Sequence, residues 1–513
     1  VPATPRAECG PGSLPETGAQ GRVPKTESDN GRAEKGYRCN AVQVSHHGEA
    51  AASGAGGYKV ERYTDKAGHD CAYYDTTLLF PTNAQNLSSE GPTGVFVLDM
   101  SDPSKPVKTS TLVTPAMQSP HESLSLNQKR GLLVAVTANP VFYPGVVDVY
   151  DVTEDCRFPV LKASAPVGFL GHESGFAPDG KTFYAAALHY PSIAAIDLTN
   201  PSVPTLLGVF HHYSHGITVS DDGNRLYIAS NDGRSDDPFI DDKKGLLILD
   251  SSEVQARKLN PQMPVVSNIT WEPASTPQVA IPVTIDAHPY IVEMDEFGDA
   301  ESVGAARIID IADEKKPHVV SNIRLEVNQP AAHGGAQSED YGTGDLQDYT
   351  GHYCNVPKRV DPGIVACSFI LSGLRVFDIR DPFHPKEIAY FNGPIPRGGS
   401  AYAMSSPSFV PDRGEIWYSD GNTGFYAVRL TNGVWPFTTD ASTAGSAAVP
   451  TTSKAGAAPV VDRPEAKAIA ADSPAREGAL PVTGGGLLLI ALALAAVATG
   501  LAMRESIGRR SGH

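Results

Sequence analysis

The sequence contains no cluster of basic residues, and this absence argues against binding to nucleic acid. It has 41 lysines and arginines against 58 aspartates and glutamates in 513 residues, which gives a net charge of −17. Nucleic-acid-binding domains carry a basic patch or stripe, so an acidic, soluble surface is the simpler interpretation. A Gly-rich phosphate-binding loop and a Gly-x-Ser-x-Gly nucleophile motif are also absent, so the enzyme classes built on those motifs are not indicated.

Two polar segments are weak candidates for ligand binding. The acidic run at residues 232–242 could hold calcium, but it lacks the Asp-x-Asp-x-Asp-Gly spacing of a calcium-binding loop, so a solvated loop between strands is preferred. Residues 325–350 combine a Gly-Gly pair with several acidic residues. They suggest a long insertion on one face of the fold, where a ligand loop could lie.

Cysteine is scarce but even in number, with six residues at positions 9, 39, 71, 156, 354 and 367. In a chain that looks exported, an even set favours disulfides over a metal cluster. Cys354 and Cys367 are symmetric about the turn Val360-Asp361-Pro362, so they should face each other across a hairpin and form a disulfide worth about 3 kcal/mol. Two buried free thiols are the alternative. The other pairings stay open, with Cys39–Cys71 as one option.

One pattern recurs along the chain: an apolar, β-branched run that ends in aspartate, then a turn with proline and a second short strand. In its clearest copy, residues 373–390, Gly373 opens the run, Asp378 closes it, and Asp381-Pro382 forms the turn. The run-ending position is occupied in seven units by Asp99, Asp151, Asp197, Asp250, Asp310, Asp378 and Arg429. Repeated structural units with loops of varied length fit this spacing.

A hairpin precedes several of these runs. Asp179-Gly180 and Asp222-Gly223 each stand between two apolar strands, and Asp-Gly in that position is a strong hairpin signal. Each unit is therefore predicted to contain four antiparallel strands: the two of the hairpin, the strand that ends in aspartate, and an outer strand after proline.

The repeat resembles the LVIVD repeat of bacterial surface β-propellers, and the resemblance covers residues 37–431. It implies an all-β fold, a seven-bladed β-propeller of four-stranded antiparallel blades, in a protein of Gram-positive, actinobacterial type. It implies little about activity, because the family is poorly characterised.

Four histidines share one register of the repeat, at the start of the first strand of their units: His121, His172, His215 and His352. The first strand of a propeller blade lines the central channel, so these imidazoles are predicted to point into one mouth of the channel. Imidazole is a common ligand of copper, zinc and iron, and we predict a transition-metal site there. Glu122 and Glu173 could orient the imidazoles or act as a base.

The register is incomplete, and a metal-free alternative stays open. The last unit has Ser405 near the equivalent position, the fifth has no clear equivalent, and His288 is not assigned to the ring. His46 and His47 stand near the start of the first unit and could add to the ring, but a solvated loop is preferred for them. Without a metal, each ring histidine would satisfy backbone groups at the start of an inner strand.

The two ends of the chain differ in composition from the repeat region. Residues 1–36 are rich in proline, glycine and charge, which suggests an extended arm, and residues 432–479 have the alanine, proline, serine and threonine content of a flexible linker. Residues 480–513 form three parts. They are the pentapeptide Leu480, Pro481, Val482, Thr483 and Gly484, an apolar stretch over 487–503, and arginines at 504, 509 and 510.

This three-part order resembles the sorting signal of sortase substrates. The resemblance implies that sortase cleaves between Thr483 and Gly484 and joins Thr483 covalently to peptidoglycan, while residues 487–503 span the membrane as a helix before processing. A transmembrane anchor that is never cleaved is the alternative. Leu14 begins a similar pentapeptide, but no apolar segment follows it. Since Val1 rather than methionine begins the chain, we expect a signal peptide to have been removed.

These observations predict a secreted protein anchored in the cell wall, on the extracellular face of the cell. Two functions fit. The preferred one is a binding scaffold that offers the propeller to an unknown extracellular ligand. The alternative is an extracellular metalloenzyme, a metal-dependent oxidoreductase or hydrolase, with its metal in the His-lined channel. Other propellers that build His-lined copper or iron sites support this alternative by analogy only, and the sequence names no substrate.

Overall fold

The described part of the chain is almost entirely β-structure. The computed structural model describes residues 1–48, 55–77, 93–187, 192–230, 244–272, 274–297, 303–342 and 348–437, and residues 1–445 form one compact unit. The acidic run at 232–242, the sorting signal at 480–513 and most of the linker at 432–479 lie outside the described residues, so the predictions made for them stay predictions.

Seven antiparallel sheets form the blades of a β-propeller around a central channel, which confirms the predicted fold. Two strands precede the first blade, β1 (Tyr37–Cys39) and β2 (Ala41–His47). The first three blades, from the innermost strand outward, are β3 (Val60–Thr64), β4 (Asp70–Asp75), β5 (Val95–Asp99) and β6 (Val107–Leu112); β7 (Ser125–Asn127), β8 (Leu132–Val136), β9 (Val147–Asp151) and β10 (Val160–Ala165); and β11 (Gly175–Phe176), β12 (Thr182–Ala186), β13 (Ile193–Asp197) and β14 (Thr205–Phe210).

The remaining blades follow the same order. They are β15 (Gly216–Val219), β16 (Arg225–Ser230), β17 (Gly245–Asp250) and β18 (Val265–Ile269); β19 (Thr276–Ile285), β20 (His288–Glu296), β21 (Ala306–Asp310) and β22 (His318–Ile323); β23 (Gly351–Asn355), β24 (Ile364–Phe369), β25 (Gly373–Asp378) and β26 (Lys386–Asn392); and β27 (Ser408–Val410), β28 (Glu415–Asp420) and β29 (Gly424–Leu430).

The aspartate that ends each repeated run has one structural role in six blades. Its carboxylate accepts a hydrogen bond from the backbone N–H two residues later, at 2.8 to 3.0 Å. This local bond closes the strand into the following turn, which is the reason that short polar side chains favour such positions. The pattern is therefore a turn signal, repeated once per blade.

The third strand of a blade is mostly apolar because both of its faces are covered by neighbouring blades. On β13, Ala194 and Ile196 pack toward the second blade, while Ile193 and Ala195 pack toward the fourth. All four are fully buried. Each large aliphatic side chain buried in this way stabilises the fold by about 1.5–3 kcal/mol. The core is accordingly a series of layers between blades.

The ring is closed by the N-terminal part of the chain. Strand β2 pairs with β29 and becomes the outermost strand of the last blade, while β1 extends the sixth blade by pairing with β26. The expectation of a solvated loop at His46 and His47 was wrong, because both lie on β2. Their sequence has no special strand signal, and the strand is defined only by its distant partner.

The N-terminal arm packs on the propeller. Glu16 forms a buried ion pair with Arg375, which also contacts Glu387 at 3.0 Å, and the hydroxyl of Tyr349 contacts the backbone of Val23 at 3.0 Å. Leu14, the first residue of the early pentapeptide, pairs with Arg38. The arm therefore belongs to the folded unit.

Three disulfides are present. Cys354 and Cys367 are direct partners across β23 and β24 and are joined, as the hairpin symmetry predicted. Cys9 is joined to Cys39, and Cys71 to Cys156. The option of a Cys39–Cys71 disulfide is therefore wrong. Cys39 lies beside the arm on β1, whereas Cys71 lies on β4 and contacts the second blade.

Helices are few and short: α1 (Lys25–Asp29), α2 (Pro115–Gln118), α3 (Ser252–Gln255) and α4 (Pro330–Glu339). Helix α4 lies in the segment predicted to be an insertion, and its carboxyl end is close to the arm, where Asp340 pairs with Arg22 at 2.7 Å. No helix within the described ranges is both long and apolar enough to cross a membrane.

Candidate metal centre

The structure brings the four predicted histidines together in the channel. His121, His172, His215 and His352 are buried, with exposed fractions between 1% and 9%. The ring centroids of His121 and His172 are 4.8 Å apart, and those of His172 and His215 are 4.3 Å apart. The shared register of the repeat thus placed these side chains correctly, while the metal itself stays a prediction.

Two of the imidazoles are held by the backbone of the next blade. The Nδ1 atom of His215 lies 2.6 Å from the carbonyl oxygen of Pro277, and that of His352 lies 2.5 Å from the carbonyl oxygen of Met404. A carbonyl only accepts, so each Nδ1 must carry the hydrogen, and each Nε2 keeps its lone pair when the ring is neutral. This is the tautomer in which an imidazole can bind a metal through Nε2.

His172 has both acceptors and a donor beside its Nδ1 atom. Its Nδ1 lies 3.0 Å from the carbonyl oxygen of His215, and the backbone N–H of Glu173 also points at it from 2.8 Å. The carbonyl of His215 and the carboxyl group of Glu122, 3.2 Å away, are acceptors and the N–H of Glu173 is a donor, so the surroundings of His172 accommodate either tautomer. These contacts fix the orientation of the His172 ring.

Two carboxylates face the imidazoles. Glu296 lies between two rings, with one oxygen 3.2 Å from Nε2 of His215 and the other 3.1 Å from Nε2 of His352. Glu122 lies 3.3 Å from Nε2 of His352 and 3.2 Å from Nδ1 of His172. Carboxylate oxygens therefore lie against the Nε2 atoms of His215 and His352 and against Nδ1 of His172.

The charges of this cluster depend on one another. Burial raises the pKa of Glu122, but the imidazoles of His172 and His352 outweigh burial and hold that pKa well below its usual range. Burial likewise lowers the pKa of His352, yet its contacts with Glu122 and Glu296 raise the pKa to about 10. For His172, burial dominates and lowers the pKa well below its usual range. Without a metal, the imidazolium of His352 therefore lies between the carboxyl groups of Glu122 and Glu296.

The backbone at the start of the second blade is unusual. His121 and Glu122 have φ angles of 40° and 73°, in the left-handed region that residues other than glycine seldom adopt. Strain of this kind persists where the surrounding structure enforces it, and it is concentrated at functional sites. Ligand atoms of His121, Glu122 and His172 all lie within 4.8 Å of one another, so these two conformations position part of the cluster.

A third set of side chains fixes Glu122 from the other direction. The amide nitrogen of Gln278 donates to Glu122 at 2.6 Å and to the hydroxyl of Tyr353 at 2.8 Å. Tyr58 lies with its ring centroid 5.5 Å from those of both His121 and His352. Aromatic and amide groups from the first, fifth and sixth blades therefore complete the wall around the imidazoles.

Not every predicted residue joins the cluster. The carboxylate of Glu173 turns toward Lys59, at 2.8 Å, so only its backbone contacts an imidazole. The hydroxyl of Ser405 accepts from the backbone N–H of Ser419 at 2.7 Å, and the seventh blade contributes the carbonyl of Met404 instead. His288 lies on β20, 2.7 Å from Asp310 and away from the ring.

Sequence reasoning missed Glu296, Gln278, Tyr58 and Lys59. Glu296 ends the second strand of its blade, whereas the repeat directs attention to the first strand. Gln278 shares the register of Glu173, since it follows Pro277 as Glu173 follows His172, and this correspondence could have found it. Tyr58 and Lys59 precede β3 without any motif.

The donor set fits a transition metal. Imidazole nitrogens with carboxylate oxygens suit zinc, copper and iron, and metal-bound imidazoles generally donate their other ring nitrogen to a carbonyl or carboxylate, as His215 and His352 do here. His215 and His352 are thus prepared to bind an ion through Nε2, with Glu296 and Glu122 beside them and with His121 and His172 completing the ring.

Comparisons with known proteins give little beyond this description. No family model matches the chain, and no curated protein matches it either. Among solved structures, a candidate 6-phosphogluconolactonase of Bacteroides fragilis is similar at 12% identity and a TM-score of 0.42, over 66% of this chain and 90% of that chain. The periplasmic gluconolactonase of Pseudomonas aeruginosa has the same identity and TM-score, over 67% of this chain and 93% of that chain. The fold assignment rests on the sheet topology of this chain itself.

Proposed function

We propose that this protein is an extracellular metalloenzyme of the cell wall, a β-propeller that holds a transition-metal ion in its channel and acts there on a small molecule. The observation that carries the proposal is the pair of imidazoles, His215 and His352, whose Nδ1 atoms bond to backbone carbonyls and whose Nε2 atoms meet at Glu296. The chemistry of such a site would be oxidative or hydrolytic.

The free energy needed to bury charged groups in this cluster favours a bound metal ion. Ionised groups in a protein interior are paired or bind metals, because desolvation of an isolated charge is expensive. Here Glu122 and Glu296 share one imidazolium, His352, when no metal is bound. A divalent cation beside the carboxyl groups of Glu122 and Glu296 would be attracted to both of them.

The position of the cluster favours small-molecule chemistry over the binding scaffold. A scaffold needs an exposed surface, whereas His352 is only 1% exposed and Glu122 only 3% exposed. Such groups are out of reach of a protein or a polymer. The scaffold function stays a prediction that no described residue specifically favours. Secretion and sortase attachment through Thr483 are part of the proposal, and the sequence order at residues 480–513 supports them.

Elemental analysis tests the proposal. The untagged protein would be reconstituted separately with Zn²⁺, Cu²⁺ and Fe²⁺, dialysed, and compared with His215→Ala, His352→Ala and the matched control His288→Ala, whose imidazole lies off the cluster. We expect about one equivalent of one metal in the wild type and the control, and loss of that metal from both cluster variants. Absence of stoichiometric metal from the wild type, or its retention in both cluster variants, would contradict the proposal. Circular dichroism shows whether each variant has folded.

A further inference from the structure

A cavity occupies the channel beyond the histidine cluster. It has a volume of about 490 Å³ and is lined by residues from all seven blades, within the size range of small-molecule sites. Its floor is formed by Lys59, Glu173 and residues near them, and its rim by the turns after the first strands, where Lys129 and Lys358 are exposed. We call this cavity the funnel.

The floor of the funnel presents a donor and an acceptor side by side. Lys59 is buried, donates to one oxygen of Glu173 at 2.8 Å, and lies 4.2 Å from the ring centroid of Tyr353. Glu173 is only 4% exposed, and its second oxygen is buried without a hydrogen-bond partner among the described residues. Gly216 leaves room for it, since a Cβ there would come within 2.3 Å of that oxygen.

This unpartnered oxygen calls for a ligand. A buried acceptor without a donor costs about 1–3 kcal/mol, and native structures seldom leave one unexplained. Lys59 can donate three hydrogen bonds, so it retains capacity beyond its bond to Glu173. The floor is therefore complementary to a molecule that offers a hydrogen-bond donor to Glu173 and an acceptor to Lys59.

The charges that line the funnel indicate which kind of acceptor the ligand offers to Lys59. Four cationic side chains line it, Lys59, Lys129, Lys358 and Arg359, against three acidic ones, Glu61, Glu173 and Asp221. Arg359 is paired with Asp221 at 2.7 Å, and Lys59 with Glu173. This is a cationic excess inside a molecule of net charge −17. Lys129 and Lys358 at the rim are not in these two ion pairs, and positive charge at the mouth of a cleft favours the approach of anionic ligands.

We propose that the funnel binds a small hydroxylated carboxylate, of the chemical class of the hexuronic acids. Its carboxylate contacts Lys59, one hydroxyl donates to the free oxygen of Glu173, and its carbon skeleton lies against Phe176, Val279 and Ile281, while the rim lysines attract the anion. This inference goes beyond the proposed function because it needs no metal.

The test is calorimetric titration of the full chain after treatment with EDTA, so that its outcome is independent of metal binding. Three probes separate the interactions: D-glucuronate has the hydroxyls and the carboxylate, glucose has the hydroxyls, and cyclohexanecarboxylate has the carboxylate. We expect saturable binding of glucuronate and at least about tenfold weaker binding of the other two, since hydrogen bonds to charged groups each contribute about that factor or more. Absence of saturation by glucuronate up to about 10 mM, or equal binding of all three probes, would overturn the proposal.

Variants locate the site. Lys59→Met should weaken glucuronate binding at least about tenfold, and Glu173→Gln should reduce the preference for glucuronate over cyclohexanecarboxylate. Lys358→Ala changes an exposed rim residue and provides a variant that does not disturb the buried pair. Lys258→Ala, outside the funnel, is the matched control. Glucuronate binding that is unchanged in both Lys59→Met and Lys358→Ala would contradict the assignment, whereas unchanged binding in Lys258→Ala is expected.

Discussion

The Nδ1 atom of His352 lies 2.5 Å from the carbonyl oxygen of Met404, so an imidazole of the sixth blade is oriented by the backbone of the seventh. His215 is held in the same way by the fifth blade. Cluster geometry therefore depends on how the blades stack around the ring, and no single blade could build the site.

His352 should be the most important residue of the metal-free cluster. Replacement by alanine removes the positive charge between Glu122 and Glu296, and loss of one partner of a buried ion pair costs about 3–5 kcal/mol. Urea unfolding in EDTA measures the difference in the free energy of unfolding. His288→Ala, half-exposed beside Asp310, should cost about 1 kcal/mol or less. Equal losses in the two variants would show that His352 carries no such charge.

Asp75 should make stability depend on pH. Burial raises its pKa to about 7, although the backbone N–H groups of Lys59 and Tyr58 bond to its carboxylate at 2.8 and 3.1 Å. The folded protein then holds a proton that the unfolded chain releases near pH 4. This contribution is complete below pH 4 and is lost as the pH rises to 7, at about 1.4 kcal/mol per pH unit.

Unfolding free energies of Asp75→Asn, measured in urea from pH 4 to pH 8, check this expectation. The free energy of unfolding of the variant should therefore fall less steeply between pH 4 and pH 7 than that of the wild type, whether the substitution itself stabilises or destabilises the protein. Asp412→Asn, a partly exposed position near Arg62, is the matched control. A slope that is the same in Asp75→Asn and in the wild type would mean that Asp75 is ionised throughout.

The two disulfides within the propeller should stabilise it unequally. Cys354 and Cys367 are 13 residues apart, and Cys71 and Cys156 are 85 residues apart. Because the entropy of the unfolded chain falls more when a longer loop is closed, the double serine variants should lose about 3 and about 4.5 kcal/mol respectively. Chemical denaturation under non-reducing conditions measures both. The reverse order would show that contacts around Cys354 and Cys367 outweigh loop entropy.

The N-terminal arm should be released when Glu16 is replaced. Its carboxylate is buried against Arg375, so its removal leaves that arginine with Glu387 alone and breaks the buried ion pair between the arm and the propeller, which is destabilising. Limited trypsin digestion followed by mass spectrometry should show faster cleavage at Arg22 and Lys25 in Glu16→Ala. Glu34→Ala loses only an exposed contact with Arg397 at 3.3 Å, and it should be digested at the wild-type rate. Identical digestion of both variants would refute a clamping role for Glu16.

Sortase processing predicts a defined C-terminus. Mass spectrometry of digested cell walls should find peptides that end at Thr483 and carry a peptidoglycan fragment. Thr483→Ala should leave the protein in the membrane fraction. Recovery of residues 484–513 on the mature protein would exclude cleavage at this position.

The blades were predictable because their signals are local. Each run-ending aspartate bonds two residues ahead, so the residues that make the turn are also neighbours in sequence. The four histidines were predictable for a related reason, since a shared register in a repeat becomes a shared height in the channel. Glu296 was not, because its approach to His215 and His352 depends on how a second strand packs against other blades.

Closure of the ring and the pairing of four cysteines were not predictable from sequence. Strand β2 is recognisable only from its partner β29. Cys71 meets Cys156 only because the first and second blades stack. Both relationships require the assembled ring, whereas Cys354 and Cys367 required only a hairpin.

Strand β2 cannot pair until the last blade has been synthesised. His46 on this strand contacts the carbonyl of Thr423 at 2.6 Å, and 377 residues separate the two. At a synthesis rate of about 5–20 residues per second, β2 waits roughly 20–75 seconds for its partner to be made. For that interval β2 is an open edge, and any step that delays the last blade prolongs its exposure to other chains.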